Sequence, residues 1–320
     1  MHCDTIMRIF DAGREGSSAE LQKNDFQIDI EKMQQGEYLL QNFAIYLDKE
    51  TEESAYDTAK AMIACFYEEM NKNTDTIRPV TRYEEILENK ENNLISALLT
   101  MEEGAPLEGS IEKLHEFYQS GVRMLTLTWN YPNEIGFPNA MFTDERGQLL
   151  ADQKGLTPAG IEIVQEMDRL GMIIDVSHGS DQLVKDVLKY SNRPFVASHS
   201  NARSVQHHFR NLSDELIKEI ADRGGVIGIN FSDGFLKDES DSTDLIEQIV
   251  AHVKHLKKIG GIEVVGMGSD FDGIRPHEDL PDARVFPKIY QALIDAGFTT
   301  DEVDQIFYKN VLRLYKEFLI

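Results

Sequence analysis

Two segments decide the fold: MIIDVSH (172–178) and FVASHS (195–200). Each is an apolar run of strand length that stops abruptly at a histidine among small residues. A continuous apolar run suits a strand buried on both faces, as in a parallel sheet. A polar group just beyond such a strand stands where α/β folds build their sites. The same unit recurs along the chain.

Upstream, EYLLQNFAIYL (37–47), NLISALLTME (93–102) and VRMLTLTW (122–129) read as strands. Downstream, VIGINF (226–231) and EVVGMGSDFDG (263–273) do the same, the last running into a loop. Runs with helical spacing lie between them at 53–70, 82–92, 110–121, 156–171, 212–225 and 242–260, and two more helices end the chain. Their ends carry recognisable signals. Thr157 caps, Pro158 fills the first helical position, Gly171 stops the helix, Ser213 caps the next, and Thr299 pairs with Glu302 as a capping box. Counting MHCD as a strand stub gives eight strands, most separated by helices. That alternation predicts a (β/α)8 TIM-like barrel in one domain over residues 1–320, ahead of a doubly wound open sheet. No glycine-rich phosphate loop is present, because Gly224–Gly225 precede a strand rather than a helix. The long irregular stretch 130–156 is expected to be functional.

Bulk properties exclude several partners. The formal charge of −24 repels phosphate backbones and anionic lipid heads, so neither nucleic acid nor membrane is expected. Two cysteines, Cys3 and Cys65, make no disulfide framework. There is no leader-like N-terminus and no run of membrane-spanning length, so a cytoplasmic location is expected.

The chemistry-bearing residues sit at strand ends: His2 and Asp4, Glu102, His178, His199 and Asp270. On a strand, residues two apart share a side, so His2 and Asp4 aim at a common target while Cys3 faces away. Buried alone, an imidazole and a carboxylate are costly, and a divalent metal offsets that cost. Mixed nitrogen and oxygen donors suit zinc best, with manganese, iron or cobalt as alternatives. Of the remaining histidines, His115, His252 and His255 fall on helices as surface or packing residues, and His207, His208 and His277 fall in loops.

This set resembles the membrane (renal) dipeptidase family of the amidohydrolase superfamily. The resemblance rests on HCD at the start, Glu102 in TMEEG, His178 in IDVSH, His199 in ASHS, Arg210 in FRNLSDE and Asp270 in SDFDG. It implies two zinc ions, one held by His2 and Asp4, the other by His178 and His199, with Glu102 bridging and a hydroxide between the metals. It implies Asp270 as the catalytic proton carrier and Arg210 as the group that binds a free C-terminal carboxylate. The implied activity is hydrolysis of dipeptides, L,D-dipeptides included, and the implied assembly is a homodimer. Between Glu102 and the adjacent Glu103, Glu102 is chosen because it completes the strand. Two features depart from the family. Trp129 stands where the family has a substrate-binding histidine, and Asn130 is the residue expected to substitute for it. Met1 leaves almost no strand before His2, so either further residues precede it or the first strand is stunted and its metal more weakly held. The alternatives are an enzyme acting on another amide, a lactam or an N-acyl amino acid, and a catalytically weak dipeptide-binding protein.

Overall fold

The computed structural model describes residues 1–139 and 154–320. Its strands are β1 (His2–Cys3), β2 (Leu40–Tyr46), β3 (Ile77–Val80), β4 (Ile95–Glu102), β5 (Met124–Thr126), β6 (Ile173–Asp175), β7 (Val196–Ala197), β8 (Val226–Asn230) and β9 (Val265–Phe271). All described ladders are parallel. Eight strands follow one another in the order β1-β9-β8-β7-β6-β5-β4-β2, a nearly closed (β/α)8 barrel. The ninth, β3, lies outside the ring. It pairs with the first half of β4, and β5 takes over along the second half. Arg78 and Pro79 in its middle are exposed, so it carries no apolar run to reveal it in the sequence.

The first strand is as short as the sequence suggests. It has two residues, pairs His2 with Ser269 and Cys3 with Phe271, and is irregular between them. Toward β2 the contact is a side-chain one, Cys3 Sγ donating to Asn42 O at 3.4 Å. A helix over Thr5–Arg14 follows at once, which the sequence reading left unassigned. Asp4 occupies its cap position, yet its carboxylate makes no capping hydrogen bond and stays free for other work.

The helices with capping signals at Thr157, Ser213 and Thr299 form where those signals place them, while the short helices Ile30–Gln35 and Asp233–Leu236 were not expected. Thr157 Oγ1 accepts from Gly160 N at 3.0 Å, Pro158 opens that helix, and Gly171 closes it at φ 73°. Ser213 caps Asp214–Asp222, and Thr299 and Glu302 form the reciprocal capping box. The segment 122–129 contributes only Met124–Thr126 to the sheet, and the chain then turns toward the barrel mouth.

Alternation along the strands sorts the barrel interior into layers. Leu98, Met124, Ile173, Val196 and Val226 form an apolar layer with Val311, Leu314, Tyr315 and Phe318 of the last helix. That helix plugs the N-terminal end of the barrel. Two residues further along β4 comes Thr100, and two beyond that Glu102. Glu102 therefore shares the inward side with Leu98, and Glu103 does not.

Near the mouth, β7, β8 and β9 approach closely because two glycines allow it. A Cβ on Gly228 would lie 2.1 Å from Ser198 O and 2.8 Å from Gly268 Cα. Helix or strand propensity would favour alanine there, yet the space is absent. Gly228→Ala is expected to destabilise the fold by about 1–3 kcal/mol, as overpacking does, read as a lower urea midpoint with an unchanged slope.

Candidate metal centre

Six side chains converge at the C-terminal rim of the barrel, all at most 8% exposed: His2, Asp4, Glu102, His178, His199 and Asp270. They make three overlapping donor groups: His2, Asp4 and Glu102; Glu102, His178 and His199; and His2, His199 and Asp270. Glu102 divides its carboxylate between the first two. Its Oε2 lies 3.1 Å from His2 Nε2, and that nitrogen is 3.4 Å from Asp4 Oδ2. Its Oε1 lies 2.9 Å from His178 Nε2 and 3.4 Å from His199 Nε2. Asp270 Oδ1 stands 3.8 Å from His2 Nε2.

These spacings fit a cation. Metal–ligand bonds of 2.0–2.1 Å put tetrahedral donors about 3.3 Å apart. The Nε2 atoms of His178 and His199 face each other at 3.0 Å. His178 Nδ1 is 2.9 Å from Asn130 Oδ1, an atom that only accepts, so the proton sits on Nδ1 and Nε2 presents a lone pair. Asp4 Oδ1 is buried without a hydrogen-bond partner among the described residues. Donors of this kind, bare and aimed at one point, need a cation among them.

The electrostatics agree. Burial pushes the Asp4 carboxyl up to about 8, with the neighbouring Glu102 and Asp270 charges adding to it. Burial also raises Asp270. Burial works against charge on Glu102 as well, but the neighbouring His2 outweighs it and holds that carboxylate well below the usual range. Burial pulls His178 and His199 down to about 4, which keeps both neutral and able to donate lone pairs.

The backbone turns sharply to aim these groups. His178 has φ 66°, Asp270 φ 74° and Glu103 φ 97°, all left-handed conformations rare outside glycine. Asp270 is held by Asn230 at the end of β8, whose Nδ2 donates to Oδ2 at 2.8 Å. The strand VIGIN ends in that asparagine, a signal the sequence reading passed over by extending the strand to Phe231.

Glu103 has a separate task. It accepts from Asn133 Nδ2 at 2.5 Å, from Ala105 N at 2.8 Å and from the Trp129 N–H at 3.2 Å. It thus ties the loop after β5 to the barrel rim. Trp129 forms one wall of the site, half-buried, its ring 5.0 Å from Tyr46, 5.7 Å from Tyr131 and 6.2 Å from His178. Asn130 meets His178 through its side-chain oxygen, 2.9 Å from Nδ1.

Arg210 is 5% exposed, and its Nε has no hydrogen-bond partner among the described residues. Its Nη2 makes one long contact, 3.5 Å, to His199 O. Burial lowers its pKa while Asp270 and Glu102 work the other way. His208, a loop histidine, supports it by accepting the Arg210 N–H on Nδ1 at 3.1 Å. His252 is a packing residue, buried, accepting from Ala202 N and bonded to Leu236 O. Of the long loop, residues 133–139 and 154–156 pack onto the rim through bridges such as Gly136 with Leu156 and Pro138 with Gly179. The rest, 140–153, lies outside the described residues.

A parallel barrel with metal donors at the C-terminal strand ends defines a metal-dependent hydrolase of the amidohydrolase kind. The sequence profile of the membrane dipeptidase family, peptidase family M19, matches residues 1–318. An uncharacterised dipeptidase of Schizosaccharomyces pombe is 30% identical over 305 residues, 90% of this chain and 71% of its own length. A Klebsiella pneumoniae protein from the pqqA 5′ region is 33% identical over 235 residues, 71% of this chain and 83% of its own. Among solved structures, a dipeptidase described as a family M19 metallopeptidase superposes with a TM-score of 0.88 at 26% identity, covering 99% of this chain and 97% of the other. A Rhodobacter sphaeroides metallopeptidase holding a phosphinate mimic of L-Ala-D-Ala gives the same TM-score and coverage at 24% identity. The chain belongs to the membrane dipeptidase family and is a metallo-dipeptidase. Among the described residues, no helix is long and apolar enough to cross a membrane.

Chelation should therefore lower the thermal midpoint, and zinc at 100 times its dissociation constant should return about 2.7 kcal/mol. Glu102→Gln should lose bound metal by elemental analysis. Glu103→Gln should keep it while lowering the midpoint.

Proposed function

We propose that two divalent cations bind here, zinc being the metal best matched to the donors. His2, Asp4 and Glu102 would hold one, and Glu102, His178 and His199 the other. The observation that carries this reading is the division of Glu102, each oxygen facing a different donor group. When bound, such a cation pair lowers the pKa of water toward neutrality and polarises a carbonyl oxygen.

The chain's own residues supply the remainder. Asp270 faces the same space as His2 and His199 and is fixed through one oxygen by Asn230, leaving Oδ1 free. A carboxyl raised by burial suits proton transfer, taking a proton from the attacking water and passing it to the leaving amine. Arg210 presents an unpaired Nε–H from a buried position, on a planar fork matched to a carboxylate. A free C-terminal carboxylate one residue beyond the scissile bond satisfies it, and a longer peptide has none at that place. Trp129, Tyr46 and Tyr131 form an apolar wall beside His178, with no imidazole where the family resemblance places one. Indole offers one donor and no basic nitrogen, so that side of the site binds by surface rather than by charge.

The test is a zinc-loaded assay on L,L-dipeptides, L,D-dipeptides, tripeptides and N-acyl amino acids. The L,D class is included after the L-Ala-D-Ala mimic held by the Rhodobacter sphaeroides protein. Dipeptides should be cleaved and tripeptides should not. Cleavage of N-acyl amino acids alone would move the assignment to that class. Asp270→Asn should retain metal and lose about 10²–10⁴ in kcat. Arg210→Met should act mainly by raising KM.

A further inference from the structure

Beneath the histidines lies a carboxylate that this chemistry leaves unused. Asp175 ends β6 inside the barrel, 0% exposed, just above the apolar layer that contains Ile173. It accepts four hydrogen bonds. Oδ1 takes the backbone N–H groups of Ser177 at 3.0 Å and Ser198 at 2.9 Å. Oδ2 takes the hydroxyls of Thr126 at 2.7 Å and Ser198 at 2.5 Å.

That arrangement decides the direction of a further bond. Ser198 Oγ is also 2.8 Å from His199 Nδ1. A hydroxyl has one proton to give. With that proton on Asp175, Oγ can only accept from His199, so Nδ1 must carry the ring proton. The competing acceptor for the serine proton, Ser177 Oγ, is 3.4 Å away and already takes the His199 N–H. The Nε2 of His199 is left with a lone pair, facing Glu102 Oε1 and His178 Nε2. A serine alone could bond either tautomer. His178 needs no such device, because Asn130 Oδ1 accepts only.

We propose that Asp175 and Ser198 are positioning residues, a hydrogen-bond relay that locks His199 in the tautomer able to hold a cation. The inference rests on the reading that Glu102, His178 and His199 hold one. Three adjacent strands build the relay, since Thr126, Asp175 and Ser198 belong to β5, β6 and the end of β7. Replacing Asp175 with asparagine would let an amide donate to Ser198, reverse its hydroxyl and favour the wrong tautomer.

Two measurements test this. In metal-free wild-type protein labelled with nitrogen-15 at histidine, the His199 ring shifts should show the proton on Nδ1. In Asp175→Asn the Nε2-protonated form should rise. In cobalt titrations followed by visible absorption, Asp175→Asn and Ser198→Ala should each weaken one of two binding steps by about 10–100-fold. Ser198→Thr, which keeps the hydroxyl, should restore the wild-type curve. A merely structural role for Asp175 would lower the unfolding midpoint and leave the tautomer unmoved. A wild-type His199 protonated on Nε2 would overturn the relay even if no variant folds, and so would folded variants that bind both cations as wild type does. A wild-type protein that takes up no cobalt would overturn the metal reading itself.

Discussion

Burial of like charge at the barrel mouth is the constraint on which the structure depends. Asp4, Glu102 and Asp270 are 1%, 3% and 8% exposed. Their described ion-pair contacts are all with His2, His178 and His199. Each carboxylate taken out of water costs several kcal/mol unless paired. Burial holds His178 and His199 neutral, so of the three histidines only His2, raised against its burial by Glu102 and Asp4, offers them a charge. Cations placed among these acids and bare imidazole nitrogens offset that cost. Metal binding is thus expected to steady the barrel mouth, in line with the metal dependence of the family.

The barrel meets that requirement at a cost in backbone strain. Left-handed residues at His178, Ser269, Asp270 and Glu103 cost about 1–3 kcal/mol each and persist only where their surroundings over-determine them. Asn230 on Asp270, Asn130 on His178 and Glu103 on the Trp129 loop supply that restraint. At the other end, the layer packed against Val311, Leu314, Tyr315 and Phe318 is apolar apart from the Tyr315 hydroxyl, which donates to Asn42 Oδ1 at 2.8 Å.

This division explains what the sequence could reveal. Apolar runs ending in a histidine or an acid announced β4, β6, β7 and β9, and the helix caps at Thr157, Ser213 and Thr299 formed as their residue types require. The choice of Glu102 over Glu103 was legible in the period of two, through Leu98 and Thr100. The edge strand β3 was not, because Arg78 and Pro79 break its apolar pattern. Nor was the helix Thr5–Arg14, with only Thr5, Ile6 and Ile9 buried. The supporting shell was hidden for a different reason. Asp175, Ser198 and Asn230 are ordinary residue types whose role depends on which strands become neighbours, and neighbours in a barrel are distant in the chain. That Asn130 lies within reach of His178 was hidden for the same reason.

The two donor groups are built unequally, and the difference follows from the order of strands. Glu102, His178 and His199 come from β4 and from the ends of β6 and β7, and the Nδ1 of each histidine already has an oxygen partner. His2 and Asp4 come from a two-residue strand that is irregular against β9 and meets β2 through a thiol contact. That side is steadied by hydrogen bonds to its backbone: the Ser269 hydroxyl donates to His2 O at 2.9 Å, and Asp4 N–H to Phe271 O at 3.0 Å. Glu102 belongs to both groups, so orienting its carboxylate for the well-supported group also sets the oxygen offered to the other. The better-supported half of the centre thereby pre-organises the other, and one shared carboxylate compensates for the irregular pairing of β1 with β9.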